Sequence, residues 1–167
     1  MITVKKVEDK KGMLDFVKFP FSLYKDSKTW VPPLISEELD TLDPEKNPAF
    51  ENCEATFYLA YDKQQTIVGR IAVIVNHYEI NRGVRKVRFG WLDMIDDIAV
   101  TDALLKKALD KVQELGLEYA EGPMGFSNMD KVGVQTYGYD HIGGMITWTN
   151  YPYYVTHFEK LGWVKEK

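Results

Sequence analysis

ATFYLAYD at 55–62, KQQ at 63–65 and TIVGRIAVIV at 66–75 decide the fold class of this chain. Two β-rich runs flank a short polar stretch, which predicts two strands joined as a hairpin. Lys86–Ile95, with Phe89 and Trp91, reads as a third central strand. Directly after it, Val100, Ala103, Leu104, Ala108, Leu109, Val112 and Leu115 recur at helical spacing, so Ile98–Leu115 is predicted as a helix that Gly116 caps. On the N-terminal side, Ile2–Val7 reads as a strand. Lys10–Tyr24 follows as a helix, with Met13, Phe16, Val17, Phe19 and Phe21 apolar, that Pro20 ends or kinks. An extended turn at Trp30–Leu34 precedes a short helix at Ile35–Leu42, with Ser36 as its cap. The loop from Leu42 to Phe50 holds two prolines and reads as an ordered connection. Beyond the long helix come a short strand at Leu117–Glu121, a Gly-rich stretch at Gly122–Thr149, a helix at Tyr153–Leu161 closed by Gly162, and a strand starting at Trp163-Val164.

This order is not a uniform βαβ alternation. It predicts an α/β (α+β) domain with a mixed, mostly antiparallel sheet and helices on both faces, rather than a doubly wound fold. A length of 167 residues suits one domain, 1–167. Apolar residues at 45% and aromatics at 13% are enough for a packed core. There is no internal repeat.

The net charge is −4, and the densest basic stretch, Arg82–Arg88, lies in a predicted hairpin, so nucleic acid is not an expected partner. Met1–Lys10 has no apolar core of a signal peptide, and no apolar run reaches the length of a membrane span. With Cys53 as the only cysteine, no internal disulfide forms. The expectation is a cytoplasmic protein with no membrane partner. His77, His141 and His157 lack metal-ligand spacing, so no metal is expected. HExxH, Walker, GxGxxG and GxSxG patterns are absent. Cys53 reads as a small hydrophobe.

Several longer words carry a resemblance. FPFSLYKD (19–26), WVPPL (30–34), LDP (42–44), NPAFE (47–51), VGRIA (68–72), GPM (122–124) and NYPYY (150–154) occur in this order. Together they resemble a bacterial GNAT-like family of unassigned role, over nearly the whole chain. The resemblance implies the GNAT-like acyl-CoA N-acyltransferase fold. Family members are longer, so it also implies an N-terminal half that lacks its final strand, to be completed by a second GNAT-like half or a homodimer partner.

In GNAT enzymes acyl-CoA lies between splayed central strands, with its pyrophosphate on the amides that open the following helix. The resemblance therefore places acetyl-CoA, or another acyl-CoA, near Ile95, Ile98 and Ala99. Here that helix start reads Asp96-Asp97-Ile98-Ala99-Val100-Thr101-Asp102 and has no glycine; its carboxylates are helix caps that repel a diphosphate. Asp93, on the third central strand, takes the position of a general base, or is an ordinary strand Asp. FEKLGW at 158–163 is similar to the GNAT word YEKLGF, whose Tyr protonates the leaving thiolate. Phe158 fills that slot, which leaves Tyr153 or Tyr154 as the acid, or as core aromatics. Ser127, Asn128 and Asp130, in the loop after the short strand, are candidate substrate contacts, or they bond their own backbone. Asn150 completes the substrate set.

Two functions lead this reading, ahead of an aminoacyl- or peptidyl-transferring relative whose larger acceptor stacks on the aromatics of Thr147–Phe158. One is an N-acetyltransferase-like enzyme that passes an acyl group to a small-molecule or peptide amine. The other is a catalytically degenerate ligand-binding or dimerisation module of the same fold. A cleft blocked by side chains would mark the second.

Overall fold

The structure is a computed structural model in which residues 1–166 are described. The chain runs β1 (Thr3–Lys6), α1 (Lys10–Leu23), α2 (Ile35–Thr41), a 3-10 turn at Pro48–Glu51, β2 (Cys53–Tyr61), β3 (Ile67–Asn76), the short α3 (His77–Ile80), β4 (Lys86–Met94), α4 (Ile98–Glu114), β5 (Tyr119–Glu121) and α5 (Tyr153–Lys160). One five-stranded sheet has the order β1-β2-β3-β4-β5. The first four strands pair antiparallel, and β5 joins β4 in parallel.

The sheet separates two apolar layers, as alternation along β3 requires. Ile71 and Val73 point into a layer with Phe89, Leu104, Leu105 and Tyr154, beneath α4 and α5. Ala72 and Ile74 point the other way, toward Phe16, Val17, Trp91 and Phe126 on the α1 side. The expected mixed sheet with helices on both faces is what the structure has.

Local expectations fare unevenly. Pro20 neither ends nor leaves α1; the helix continues past it to Leu23. A proline at position 20 cannot donate to the Phe16 carbonyl, and that carbonyl instead accepts a bond from Arg70 Nη1 at 3.0 Å. Ser36 is not the cap of α2, because the helix already begins at Ile35 and the cap position falls on Leu34. The strand expected from Leu117 starts two residues later, and Trp163-Val164 is not in a strand. Both shifts have one cause. Gly116 and Gly162 take positive φ, and the amides that follow them fold back, Leu117 onto Val112 O and Trp163 onto Phe158 O, each at 2.9 Å. Helix termination has used those donors. The short α3 has no apolar period to announce it; the Asn76 side chain caps it at the Glu79 amide.

Three of the four basic residues of Arg82–Arg88 pair with carboxylates, and Arg82 lies over the Tyr78 ring at 3.7 Å. Arg88 pairs with Glu79, Lys86 with Glu121 and Glu79, and Arg85 with Glu118.

Candidate functional site

A bulge in β4 builds the site. Arg70 lies opposite Asp93 and Ala72 opposite Gly90, so two β4 residues, Trp91 and Leu92, face the single Ile71. Trp91 takes φ +47 to allow this. In an unbroken strand Phe89, Trp91 and Asp93 would share one face. With the bulge, Trp91 joins the α1 layer while Phe89 stays in the α4 layer, and Asp93 turns to meet Arg70. Gly90 is required beside the bulge, since a Cβ there would lie 2.2 Å from the Met124 carbonyl oxygen.

Asp93 is 6% exposed and Arg70 4%. Asp93 Oδ2 accepts from Arg70 Nε at 3.0 Å and Nη2 at 2.8 Å, a fork geometry that fits guanidinium better than ammonium. Asp93 Oδ1 lies 2.9 Å from the Tyr24 hydroxyl and 2.8 Å from that of Tyr154. The two hydroxyls are 3.0 Å apart. Tyr154 donates to Asp93 and accepts from the Met94 amide at 3.3 Å. Tyr24 has a single proton and three acceptors within reach: Asp93, Tyr154 and the Thr149 carbonyl at 3.0 Å. Burial, followed by the Asp93 charge, pushes both hydroxyls well above the ordinary tyrosine value, so both stay protonated.

Tyr153 is half-buried and donates to the Met94 carbonyl at 2.6 Å. Burial and the Asp93 charge raise its hydroxyl as well. Tyr153 and Tyr154 thus occupy both backbone groups of Met94, at the end of the central strand. Phe158 packs against Phe89 and Trp163, with centroids at 6.4 and 6.0 Å.

The residues expected around a pyrophosphate are otherwise engaged. The Ile95 amide continues the sheet ladder to Val68 O at 3.0 Å. Asp97 caps α4, and its carboxylate takes the Ala99 amide at 3.0 Å. Ile98, 36% exposed, is the first residue of that helix. The α4 start thus presents carboxylates and a spent amide, which does not fit a diphosphate. His157, 5% exposed, closes the neighbouring gap between α4 and α5, with Nδ1 at 2.7 Å from Thr101 Oγ1 and Nε2 at 2.9 Å from Asp96.

The loop candidates divide. Ser127 and Asp130 bond within their own turn: Asp130 Oδ2 accepts the Ser127 amide at 2.9 Å, and Ser127 Oγ accepts the Met129 amide at 3.1 Å. Asn128 is exposed beside them. Asn150 is buried and clasps Gln135 through both ends of its amide, at 2.6 and 3.2 Å. That clasp ties down the base of the long loop. A cavity of about 60 Å³ lies next to it, bounded by Tyr24, Ser27, Thr29, Tyr139, Thr149 and Asn150 among others. A wider groove of about 930 Å³ follows the outer side of β5, lined by Pro123, Val134, Val155, Phe158 and Trp163 among others.

Sequence reasoning missed Tyr24, Arg70, Thr101 and the clasping role of Asn150. Arg70 had a signal, since a lone arginine inside TIVGRIAVIV demands a buried acidic partner. Tyr24 had none. Among the described residues, no group of three or more His, Cys, Asp or Glu is gathered as for a metal. Nor is any helix among the described residues long and apolar enough to cross a membrane.

Comparison with known proteins bears on the fold. No family model matches. Protein YghO of Escherichia coli is 31% identical over 158 residues, which cover 94% of this chain and 40% of that protein. The bacterial ceramide synthase of Caulobacter vibrioides is 31% identical over 127 residues, covering 75% of this chain and 33% of that protein. The chain thus spans well under half the length of these relatives. Among solved structures, a transcriptional regulator from Bacillus halodurans superposes with TM-score 0.56 at 13% identity, over 100% of this chain and 95% of that one. A predicted acetyltransferase from Clostridium acetobutylicum, crystallised with acetyl-CoA, gives 0.54 at 10% identity, over 99% and 92%. A tandem GNAT protein from the clavulanic acid pathway gives 0.50 at 13% identity, over 69% of this chain and 34% of that one. These superpositions show the fold: the chain has the fold of the GNAT acyltransferases.

Proposed function

We propose that this chain is the GNAT-fold part of an enzyme that passes an acyl group from a thioester to an amine, and that the amine is the head of a long-chain molecule. The observation that carries this reading is the cavity of about 60 Å³ beside Tyr24. It is the size of about two waters, and so of a small amine head group. Tyr24 borders it and bonds directly to Asp93. In the reaction the amine nitrogen bonds to the thioester carbon, the C–S bond breaks, the nitrogen loses a proton and the thiolate gains one. Asp93 is the base in this reading and acts through the Tyr24 hydroxyl, because all its own close contacts are taken. In this reading Tyr153, the least buried of the three tyrosines, returns a proton to the thiolate.

The Caulobacter relative supports the substrate class. A ceramide is the amide of a fatty acid with a long-chain amino alcohol, so the synthesis named for that protein is acylation of an amphiphilic amine. The α4 start does not supply a diphosphate grip, so in this reading the remaining part of a longer protein holds the donor.

A second reading is favoured by one set of contacts. Tyr153 and Tyr154 fill the Met94 backbone groups, and Asp97 fills the Ala99 amide. A cleft stopped in this way suits a binding module that has lost transfer. Calorimetric titration of the chain and of the full-length protein with acetyl-CoA and palmitoyl-CoA separates the two. Micromolar affinity, about −8 kcal/mol, in the full-length protein together with transfer to a long-chain amine supports the enzyme. Transfer should then fall by about 10²-fold or more in Asp93→Asn. Failure of both proteins to bind either thioester up to millimolar concentration leaves the module.

A further inference from the structure

The segment after β5 is unusual for what it leaves outside. Between residues 127 and 149, Met129 is 88% exposed, Tyr137 85%, Ile142 69%, Met145 93% and Ile146 66%. Scattered apolar residues are ordinary on a protein surface, but five large ones within a single loop mark a contact site. The loop is also built rather than trailing. Asn150 clasps Gln135 at its base, the Val132 amide bonds to Ile146 O at 3.2 Å, and the Tyr139 hydroxyl donates to Gln135 O at 2.6 Å. These bonds fix the base and leave the side chains of Tyr137, Ile142 and Met145 exposed.

We infer that this loop rests in the surface of a lipid bilayer and takes an amphiphilic amine from it. The inference depends on the proposed transfer to a long-chain amine and identifies where that amine comes from. Continuity with the site is the main argument. Tyr139 and Thr149, both in the loop, line the small cavity, and Thr149 O contacts the Tyr24 hydroxyl beside Asp93. A head group in that cavity leaves its tail along the loop toward the apolar tip. The charges argue for insertion rather than attraction to anionic lipid. Asp130 is spent within its turn, Asp140 pairs with His141, and Lys131 is the only Lys or Arg in the loop. A chain of net charge −4 gains nothing from an anionic surface. The lack of a membrane-spanning helix concerns crossing a bilayer, not resting on one.

Co-sedimentation of the 167-residue chain with phosphatidylcholine vesicles tests this directly. The chain is expected to pellet with the vesicles, with little change on raising salt. The double variant Ile142→Ser, Met145→Ser is expected to partition about tenfold less, since binding follows the apolar area inserted. Both positions are exposed, and thermal melting by circular dichroism should confirm that the variant remains folded. Equal partitioning of variant and parent overturns the inference, as does no binding by the parent. Self-association of the chain through the same two side chains, without vesicle binding, overturns it in favour of a protein contact. Vesicle binding with no thioester or amine activity in the full-length protein would keep the lipid contact and remove the transfer reading. Transfer without vesicle binding would do the reverse.

Discussion

The Asp93 cluster and the 127–149 loop invert the usual distribution of a globular protein. One buries charge and hydroxyls near the centre of the fold; the other holds large apolar side chains in solvent. The cluster is a closed account, because among the described residues no buried side-chain polar atom lacks a partner. Its strength therefore resides in its completeness, and removal of any one member leaves the others exposed to a low-dielectric interior. The loop is open in the opposite sense. Its apolar tip contributes almost nothing to folding, so its residues are free to serve something outside the chain.

This contrast can be broken most severely at Arg70. Arg70→Ala leaves Asp93 buried without its countercharge and should cost about 3–5 kcal/mol. For a domain of this size that lowers the melting temperature by roughly 10 °C, as calorimetry would read. A loss under about 1 kcal/mol would mean that water reaches Asp93, and the cluster would then resemble a surface pair. High pH probes the same region next. Tyr24, Tyr153 and Tyr154 keep their protons in the folded chain above the ordinary value of 10.0. The unfolded chain loses those protons first, so stability is full below pH 10 and declines as pH rises beyond it. The slope contribution is about 1.4 kcal/mol per pH unit for each such hydroxyl. Urea titrations at several alkaline pH values should show it, and Tyr24→Phe should reduce the slope by one hydroxyl.

Smaller effects sharpen the comparison. Asp97→Ala removes the α4 cap and should cost about 1 kcal/mol. If the carboxylates at this helix start are what exclude a diphosphate, the same variant should also bind CoA more tightly than the parent, as calorimetry would detect. At the far end of the scale, Met145→Ser should change stability by less than about 0.5 kcal/mol, although it sits in the loop expected to bind lipid. A larger loss would show that the tip packs on the domain and would erase the distinction between the two regions.

Legibility followed the same division. The hairpin of β2 and β3, the strand β4 and the helix α4 were all readable, because each has a local period that burial enforces. The resemblance singles out Asp93 as a candidate, but it says nothing of the residues around it. Tyr24 lies 69 residues from Asp93 in sequence, and Thr149 lies 125 residues from Tyr24. Alternation predicts the wrong face for Asp93, since the bulge at Trp91 depends on β3 alongside. Pro20 reads as ending or kinking a helix, yet its effect is chemical: it leaves the Phe16 carbonyl free for Arg70. Ser127 and Asp130 have the residue types of a binding loop, and those types satisfy a turn equally well.

By itself, the sequence determined the longer strands and helices, their order and the two-faced sheet, because periods of two and of nearly four residues sort apolar side chains wherever the chain runs. It also determined that the start of α4 is acidic, since that is a matter of composition. Only the tertiary structure decided that a one-residue bulge turns Asp93 toward Arg70, that two tyrosines from distant helices close on it, and that the apolar tip of the long loop stays outside. Those outcomes depend on which groups meet across the sheet, and a buried charge goes where its partners are, not where its neighbours in sequence point.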